Sequence, residues 1–194
     1  MTKHKTWAAT AAMLALSGAA QSALINRGSG MIYDTTFNIT WLADMNYAVT
    51  SGYAASGAAP FSTFGENSVW TDGRMGRKAA QSWVDSLVYG GFSDWRLPAL
   101  NPSDTTCSNS FDAGAGYALQ YNALNCSGGE LSHLFAIDLG NKGSESVLNQ
   151  AGDTAEQIAN LALFSNVQPS VYWSGTVFAP SPDATWYYDA SYGY

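Results

Sequence analysis

Gly90-Gly91-Phe92-Ser93-Asp94-Trp95-Arg96-Leu97-Pro98 is the stretch of sequence that says most about the fold. Its two glycines are predicted to end a preceding helix, and its proline stiffens the backbone that follows. The combination predicts a fixed structural corner, deep in a domain, made of Asp94, Trp95, Arg96 and Pro98. We expect Trp95 to pack in the core and Arg96 to pair with a carboxylate. The alternative is a sugar or carboxylate site, because a guanidinium binds oxygens in bidentate fashion and an indole stacks on sugar rings.

Two main helices are predicted, one before and one after this corner. Between residues 72 and 89 apolar residues recur at i, i+3 and i+4 spacing, and Gly90 is expected to end that helix. The second helix is predicted over about residues 128–139, where Ser127 and Glu130 have the spacing of a capping box.

Strands are predicted at both ends of the chain. Short β-favouring runs flank a polar turn near the start, which indicates a hairpin, and two aromatic and β-branched runs stand near the end. A Gly-, Ala- and Ser-rich stretch from 50 to 65 suits a surface loop. The fold class predicted is therefore α+β. The predicted strands are 31–33, 39–42, 170–177 and 185–190, with a short third helix at 153–163.

The first residues have the layout of a secretory signal peptide. Met1–Ser22 contains a basic start, an apolar run too short to span a bilayer, and a small-residue exit at Ala20-Gln21-Ser22. We therefore expect residues 1–22 to be removed on export and residues 23–194 to form one domain, secreted or at the surface of a bacterium. No transmembrane segment is expected after signal removal.

The charge of the chain limits its partners. Lys3 and Lys5 fall in the predicted signal, which leaves six basic residues against fifteen acidic ones, a net charge of −9. Phosphate binding needs clustered Lys and Arg, so no nucleic-acid partner is expected.

Two cysteines support export. Cys107 and Cys126 lie in one Ser-, Asn- and Gly-rich stretch, and such a pair in an oxidising compartment is typical of a disulfide. The alternative, a reactive or metal-binding thiol, lacks a supporting histidine cluster, because His133 is the single histidine after the predicted signal.

The order of several motifs resembles that of the Lcl C-terminal domain family. This bacterial family is catalogued as a domain of unknown function and is named after the C-terminal domain of a collagen-like adhesin. The matching motifs cover nearly the whole chain after about Gly30. They are Phe37-Asn38-Ile39-Thr40-Trp41-Leu42, Asp44-Met45-Asn46-Tyr47, Trp83, Gly90 to Pro98, Glu130-Leu131, Tyr172-Trp173-Ser174-Gly175-Thr176 and Trp186.

The resemblance implies a C-type-lectin-like arrangement, with two helices packed around twisted antiparallel strands as in formylglycine-generating-enzyme folds. The chain departs from the family in two places. An insertion with both cysteines separates the Arg-Leu-Pro from Glu130-Leu131, and the chain ends where the family continues with a returning strand. We therefore expect a C-terminal strand to be missing from this sequence.

Three function hypotheses follow. The first is an exported adhesion or binding module that recognises an extracellular glycan or surface protein, and the charge favours neutral sugars over sulphated ones. The second is a structural surface or matrix component without glycan binding. The third, an enzyme, lacks an inventory of catalytic residues: Ser174 has no nucleophile-elbow pattern and His133 no supporting spacing, so no catalytic residue is predicted.

A candidate binding surface is predicted from Trp173, Trp186 and Tyr188, together with the insertion from Asn101 to Ser127. Alternation sends Tyr187 to the opposite face of its strand from Trp186 and Tyr188, so one face is expected to be core. No cofactor is predicted. Calcium is the open question, because Gln168-Pro169-Ser170 matches a lectin-type calcium turn only in its first two residues.

Overall fold

The computed structural model describes residues 24–57, 65–114 and 116–194. The predicted signal peptide and part of the predicted loop at 50–65 lie outside the described residues. The described part is mixed α and β, with small antiparallel sheets and few helices. None of its helices is long and apolar enough to cross a membrane.

The predicted N-terminal hairpin is confirmed and gains a third strand. The sheet has the order β1-β2-β3, and both pairs are antiparallel. Asp34, fully buried at the turn, accepts hydrogen bonds from the backbone of Thr36 and Phe37 and from the indole of Trp41, which holds the two β-strands together. The strands are β1 Leu24–Gly28, β2 Met31–Asp34 and β3 Ile39–Leu42.

The first predicted helix is shorter than its apolar pattern. It spans Arg77–Asp85, and Val88 near the end of the pattern is 68% exposed. Gly90 does not end this helix. Gly90 and Gly91 have φ of 61° and 85° and form a tight turn closed by two backbone hydrogen bonds of 3.0 Å between residues 89 and 92. Two short helices precede the helix Arg77–Asp85. The first three helices are α1 Tyr47–Thr50, α2 Tyr53–Gly57 and α3 Arg77–Asp85.

The second predicted helix begins at Glu130 and changes form after one turn. Its N-cap is Gly129, whose N–H donates to the Ser132 hydroxyl at 3.1 Å, so the predicted capping box at Ser127 is wrong. A π-helical turn follows, and Leu139 N–H reaches the Leu134 carbonyl at 2.9 Å. The predicted third helix is confirmed with a Thr154 cap. These segments are α4 Glu130–His133, the π-helical turn Leu134–Asp138 and α5 Ala155–Leu161.

Two further hairpins complete the described structure. The insertion forms a small hairpin that was not predicted, and the two predicted C-terminal strands pair with each other as a two-stranded sheet. Trp173 pairs with Tyr187, so Trp186 and Tyr188 point to the opposite face. The strands are β4 Asn109–Phe111, β5 Gln120–Asn122, β6 Val171–Val177 and β7 Thr185–Asp189.

The main core lies where the π-helical turn meets the first sheet and the C-terminal hairpin. Phe135, 1% exposed, stacks on Tyr188 with centroids 5.0 Å apart and contacts Tyr172 at 4.8 Å. Burial raises the pKa of Tyr172 to about 12. Because residues from both ends of the chain meet here, the core fixes the C-terminal hairpin against α4.

Candidate functional site

The predicted corner holds an ion pair whose acidic partner is Glu130. Arg96 donates from both terminal nitrogens to the two Glu130 oxygens at 2.7 and 2.6 Å, and the Ala99 N–H donates to Glu130 Oε2 at 2.8 Å. Burial raises the pKa of the Glu130 carboxyl, but the bonds from Arg96 and Ala99 outweigh it and hold that pKa below its usual 4.5. The predicted pairing of Arg96 with a carboxylate is confirmed, and the partner lies 34 residues away.

The prediction that the corner lies deep in the domain is wrong, because the corner is at the surface. Asp94 and Arg96 are exposed, and Phe92 is 55% exposed. Trp95 is half-buried and lies outside the core, so the prediction that it packs in the core is wrong. Its ring is nearly perpendicular to that of Tyr89, with centroids 6.0 Å apart, and its indole N–H donates to the Tyr89 carbonyl at 3.3 Å.

The corner is joined to the downstream motif at residues 173–176. The Pro98 carbonyl accepts the Gly175 N–H at 2.8 Å. The Thr176 hydroxyl donates to the Leu100 carbonyl and accepts its N–H, both at 2.9 Å. Two of the motifs quoted for the resemblance, residues 90–98 and 172–176, are therefore in direct contact, and the corner positions β6.

The insertion is closed by a disulfide and by one buried carboxylate. Cys107 and Cys126 are bonded, as predicted. Asp104, 5% exposed, accepts hydrogen bonds from the hydroxyl and N–H of Thr106 and from the N–H groups of Ser127 and Gly128. Burial raises the pKa of Asp104, but these bonds outweigh it and keep that pKa below its usual value. The two ends of the insertion are therefore linked by the disulfide and by the hydrogen bonds to Asp104.

A cavity of about 400 Å³ lies between the insertion and the C-terminal hairpin; we call it the hairpin cavity. Three aromatic rings form one wall. The ring centroids of Phe178 and Trp186 are 5.6 Å apart, and the centroid of Phe111 of β4 is 6.3 Å from that of Phe178 and 6.1 Å from that of Trp186. The disulfide cysteines line it as well. Residues of the insertion and Trp186 of the aromatic strand therefore line one concave site.

Several polar groups in the hairpin cavity have no protein partner. Trp186 Nε1, Thr185 Oγ1 and the Tyr188 hydroxyl are buried without a hydrogen bond to any described residue, and all three residues line the cavity. Each unpaired buried donor or acceptor of this kind costs about 1 to 3 kcal/mol. Among the described residues, no side chain that lines the cavity is acidic or basic.

The structure separates the three residues of the predicted binding surface. Trp186 lines the hairpin cavity, but Trp173 lies on the other face of the hairpin, with its indole N–H donated to the Met75 carbonyl at 2.9 Å. Tyr188 is 2% exposed and belongs to the core, so it reaches the cavity from behind and is not a surface residue. The predicted alternation is confirmed, since Tyr187 is 46% exposed.

The sequence analysis did not identify Phe111 and Phe178 as residues of the candidate site. Phe111 stands in the polar insertion, and Phe178 directly follows the strand predicted at 170–177, so neither belongs to a periodic apolar pattern. An isolated phenylalanine in a polar segment was the only available signal.

Ser174 and His133, the two residues considered for catalysis, both have structural partners. The Ser174 hydroxyl is fully buried; it donates to the Trp186 carbonyl at 2.8 Å and accepts the Thr176 N–H at 3.1 Å. His133 contacts the Ser127 carbonyl at 3.1 Å through Nδ1, and its Nε2 lies 4.0 Å from Asp138. Neither residue is arranged for nucleophilic attack.

Asp138 is a buried carboxyl with an unusual titration. Burial raises its pKa from 3.8 to about 6, against the pull of His133, and one of its oxygens has no hydrogen bond to a described residue. A carboxyl whose pKa is raised in the folded state stabilises that state when protonated. Its contribution is therefore complete below about pH 4 and is lost as the pH rises to about 6.

One group of potential metal ligands stands among the described residues, formed by Asp104, Cys107 and Cys126. The two sulfurs are bonded to each other and Asp104 already accepts four hydrogen bonds, so these atoms are not free to hold an ion. The Gln168 N–H and side-chain amide donate to the Tyr172 hydroxyl and the Asn166 carbonyl. Calcium binding stays an open prediction.

No family model, curated protein or solved structure matches this chain.

Proposed function

We propose that this protein is an exported, non-enzymatic binding module that recognises a neutral glycan in the hairpin cavity. The observation that carries the proposal is one cavity that combines a wall of three aromatic rings, three unpaired polar groups and, among the described residues, no charged lining side chain.

The chemistry of a sugar fits these features. Its C–H faces pack on aromatic rings, and its hydroxyl groups both donate and accept hydrogen bonds. The indole N–H of Trp186 needs an acceptor, whereas the hydroxyls of Thr185 and Tyr188 can take either role. The cavity volume of about 400 Å³ is within the range of small-ligand sites.

The absence of charge in the lining argues for a neutral sugar over a sulphated one. A sulphate group needs cationic partners, and the chain is acidic as a whole, with a net charge of −7. The same features favour a neutral glycan over the anionic polymers that a basic adhesin would bind.

The export and fold parts of this proposal depend on the sequence. The layout of residues 1–22 and the disulfide support a secreted or cell-surface location, because disulfides persist in oxidising compartments. The motif resemblance supports membership of the Lcl C-terminal domain family and a C-type-lectin-like arrangement, and the mixed α and β structure is compatible with both.

A glycan array of the oxidised protein, run with and without calcium, tests the proposal. We expect selective binding of neutral oligosaccharides, and titration calorimetry of the best one should show at least about tenfold weaker binding by Trp186→Ala. Trp173→Ala is the matched control, because it removes an indole of the same hairpin outside the cavity.

Three results would count against glycan recognition. These are equal losses in the two tryptophan variants, preference for sulphated sugars, and concentration-dependent assembly without any glycan signal. The last result favours a structural surface component, whose contacts would come from the exposed rings of Tyr187, Tyr192 and Tyr194.

A further inference from the structure

A second cavity, of about 590 Å³, lies between β3 and the corner segment 92–98; we call it the corner cleft. Residues 38–41 all line it. Ile39 and Trp41 point to one face of the sheet and Thr40 to the other, so a cleft that touches all of them reaches the edge of the strand. Arg27 of β1 and Met31 of β2 line it as well. It shares no lining residue with the hairpin cavity.

The backbone of β3 is open on this side. In the order β1-β2-β3, β3 pairs with β2 on one side and with no described strand on the other. An edge strand of this kind presents N–H and C=O groups that can pair with another extended chain. The corner cleft places room for such a chain directly beside the open edge.

The opposite wall supplies places for side chains. Phe92 is 55% exposed, and the half-buried Trp95 stands three residues further on, which gives an apolar surface. Asp94 is exposed and has no hydrogen bond or ion pair with a described residue, whereas the charge of Arg96 is matched by Glu130. The wall beside the open edge therefore carries one unmatched negative charge.

The remaining cation of the cleft is Arg27 of β1, whose guanidinium lies 3.7 Å from the centre of the Tyr33 ring. Arg27 forms no ion pair with Asp94, so among the described residues the charge of Asp94 is unmatched.

We propose that the corner cleft binds an extended peptide of a partner protein, which adds to the open edge of β3 as a fourth strand. A lysine or arginine side chain of the peptide pairs with Asp94, and a neighbouring apolar side chain packs on Phe92 and Trp95. Backbone pairing supplies affinity, and the alternate side chains supply selectivity. This interaction is separate from glycan recognition in the hairpin cavity.

The test uses the blocked peptide Thr-Val-Lys-Val-Thr-Val-Ser and two relatives, one with Glu in place of Lys and one N-methylated on every backbone nitrogen, which blocks both edges of the peptide. Binding to the oxidised protein is followed by amide chemical shifts and by titration calorimetry. We expect the Lys peptide to shift the resonances of residues 38–41 and 92–96. The N-methylated peptide should not bind, because it cannot pair with the strand edge.

A charge exchange supplies the sharper arm of the test. Asp94→Lys should weaken the Lys peptide by about tenfold or more and should bind the Glu peptide more tightly than the wild type does. Asp183→Lys is the matched control, since Asp183 is exposed and lines neither cavity, and it should leave both affinities unchanged.

Four results would overturn the proposal. They are no shifts with any of the three peptides, equal binding of the N-methylated peptide, shifts confined to Phe111, Phe178 and Trp186, and a neutral oligosaccharide that occupies the corner cleft in place of the peptide. Self-association of the protein that perturbs residues 38–41 without peptide binding would assign the edge to a second copy of the chain.

Discussion

Replacement of Glu130 by Gln isolates the energetic role of the corner. Glu130 accepts two hydrogen bonds from Arg96 and one from the Ala99 N–H, and it is the first residue of α4. The variant keeps the shape of the side chain and removes its charge. Matched to it is Glu156→Gln, because Glu156 is in the first turn of α5 and has no hydrogen bond or ion pair with a described residue, although its charge repels that of Asp138.

The expected losses differ because the two glutamates share only their helix position. A carboxylate in a first helical turn contributes about 0.3 to 1 kcal/mol, which both variants lose. The Arg96 side chain is 54% exposed, so solvent screening limits the bidentate pair to about 1 kcal/mol. Weakening of the bond from Ala99 N–H costs about 0.5 to 1 kcal/mol more. We expect Glu130→Gln to lose about 2 to 3 kcal/mol in total and Glu156→Gln at most about 1.

Urea unfolding at neutral pH measures both free energies, and repetition at lower pH tests their origin. Because the folded pKa of Glu130 is below its usual 4.5, its stabilisation is present above that value and is lost as the pH falls through the folded pKa. The difference between wild type and Glu130→Gln should therefore shrink below about pH 4.

Equal losses in the two variants would refute this account of the corner. So would a cycle with Arg96→Met in which the two substitutions add to within about 0.3 kcal/mol, since residues in direct contact should couple more strongly. A pH-independent difference would show that the charge of Glu130 is not what stabilises the corner.

Three further predictions concern stability. Asp138→Asn should raise the free energy of unfolding by about 1 to 2 kcal/mol at pH 7 and leave it unchanged near pH 4, because it removes a buried charge that forms only above a pKa of about 6; urea titrations at both pH values check this, and a gain at pH 4 would contradict it. Replacement of Cys107 and Cys126 together by Ser should cost about 3 kcal/mol in thermal or urea unfolding, and an unchanged midpoint would exclude the disulfide as a constraint. In urea unfolding, Phe135→Ala should cost about 3 to 5 kcal/mol and Phe92→Ala less than about 1, because Phe135 is buried and Phe92 is 55% exposed. An equal or larger loss in Phe92→Ala would contradict this.

Much of the secondary structure follows from local sequence. The hairpin of β2 and β3, the helix α5 and the strands β6 and β7 were predicted from signals that act within a few positions. The pairing of β6 with β7 and the Thr154 cap of α5 were not predicted. The disulfide followed from cysteine number and setting. Predictions failed where tertiary contacts compete with local preference. The apolar pattern of α3 continues to Val88, but the chain leaves the helix after Asp85 and forms the turn at Gly90 and Gly91.

The sequence by itself determined which residues carry charge, aromatic rings and cysteines, and it determined that the predicted mature surface is acidic. Only the tertiary structure decided what these residues meet. It paired Arg96 with Glu130, buried Tyr188 against Phe135, and placed Phe111 of the insertion beside Trp186, 75 positions later. The physical reason is that periodicity reports only the face on which a side chain lies, whereas a cavity forms between elements whose approach depends on core packing. The hairpin cavity and the corner cleft are both products of such long-range approach.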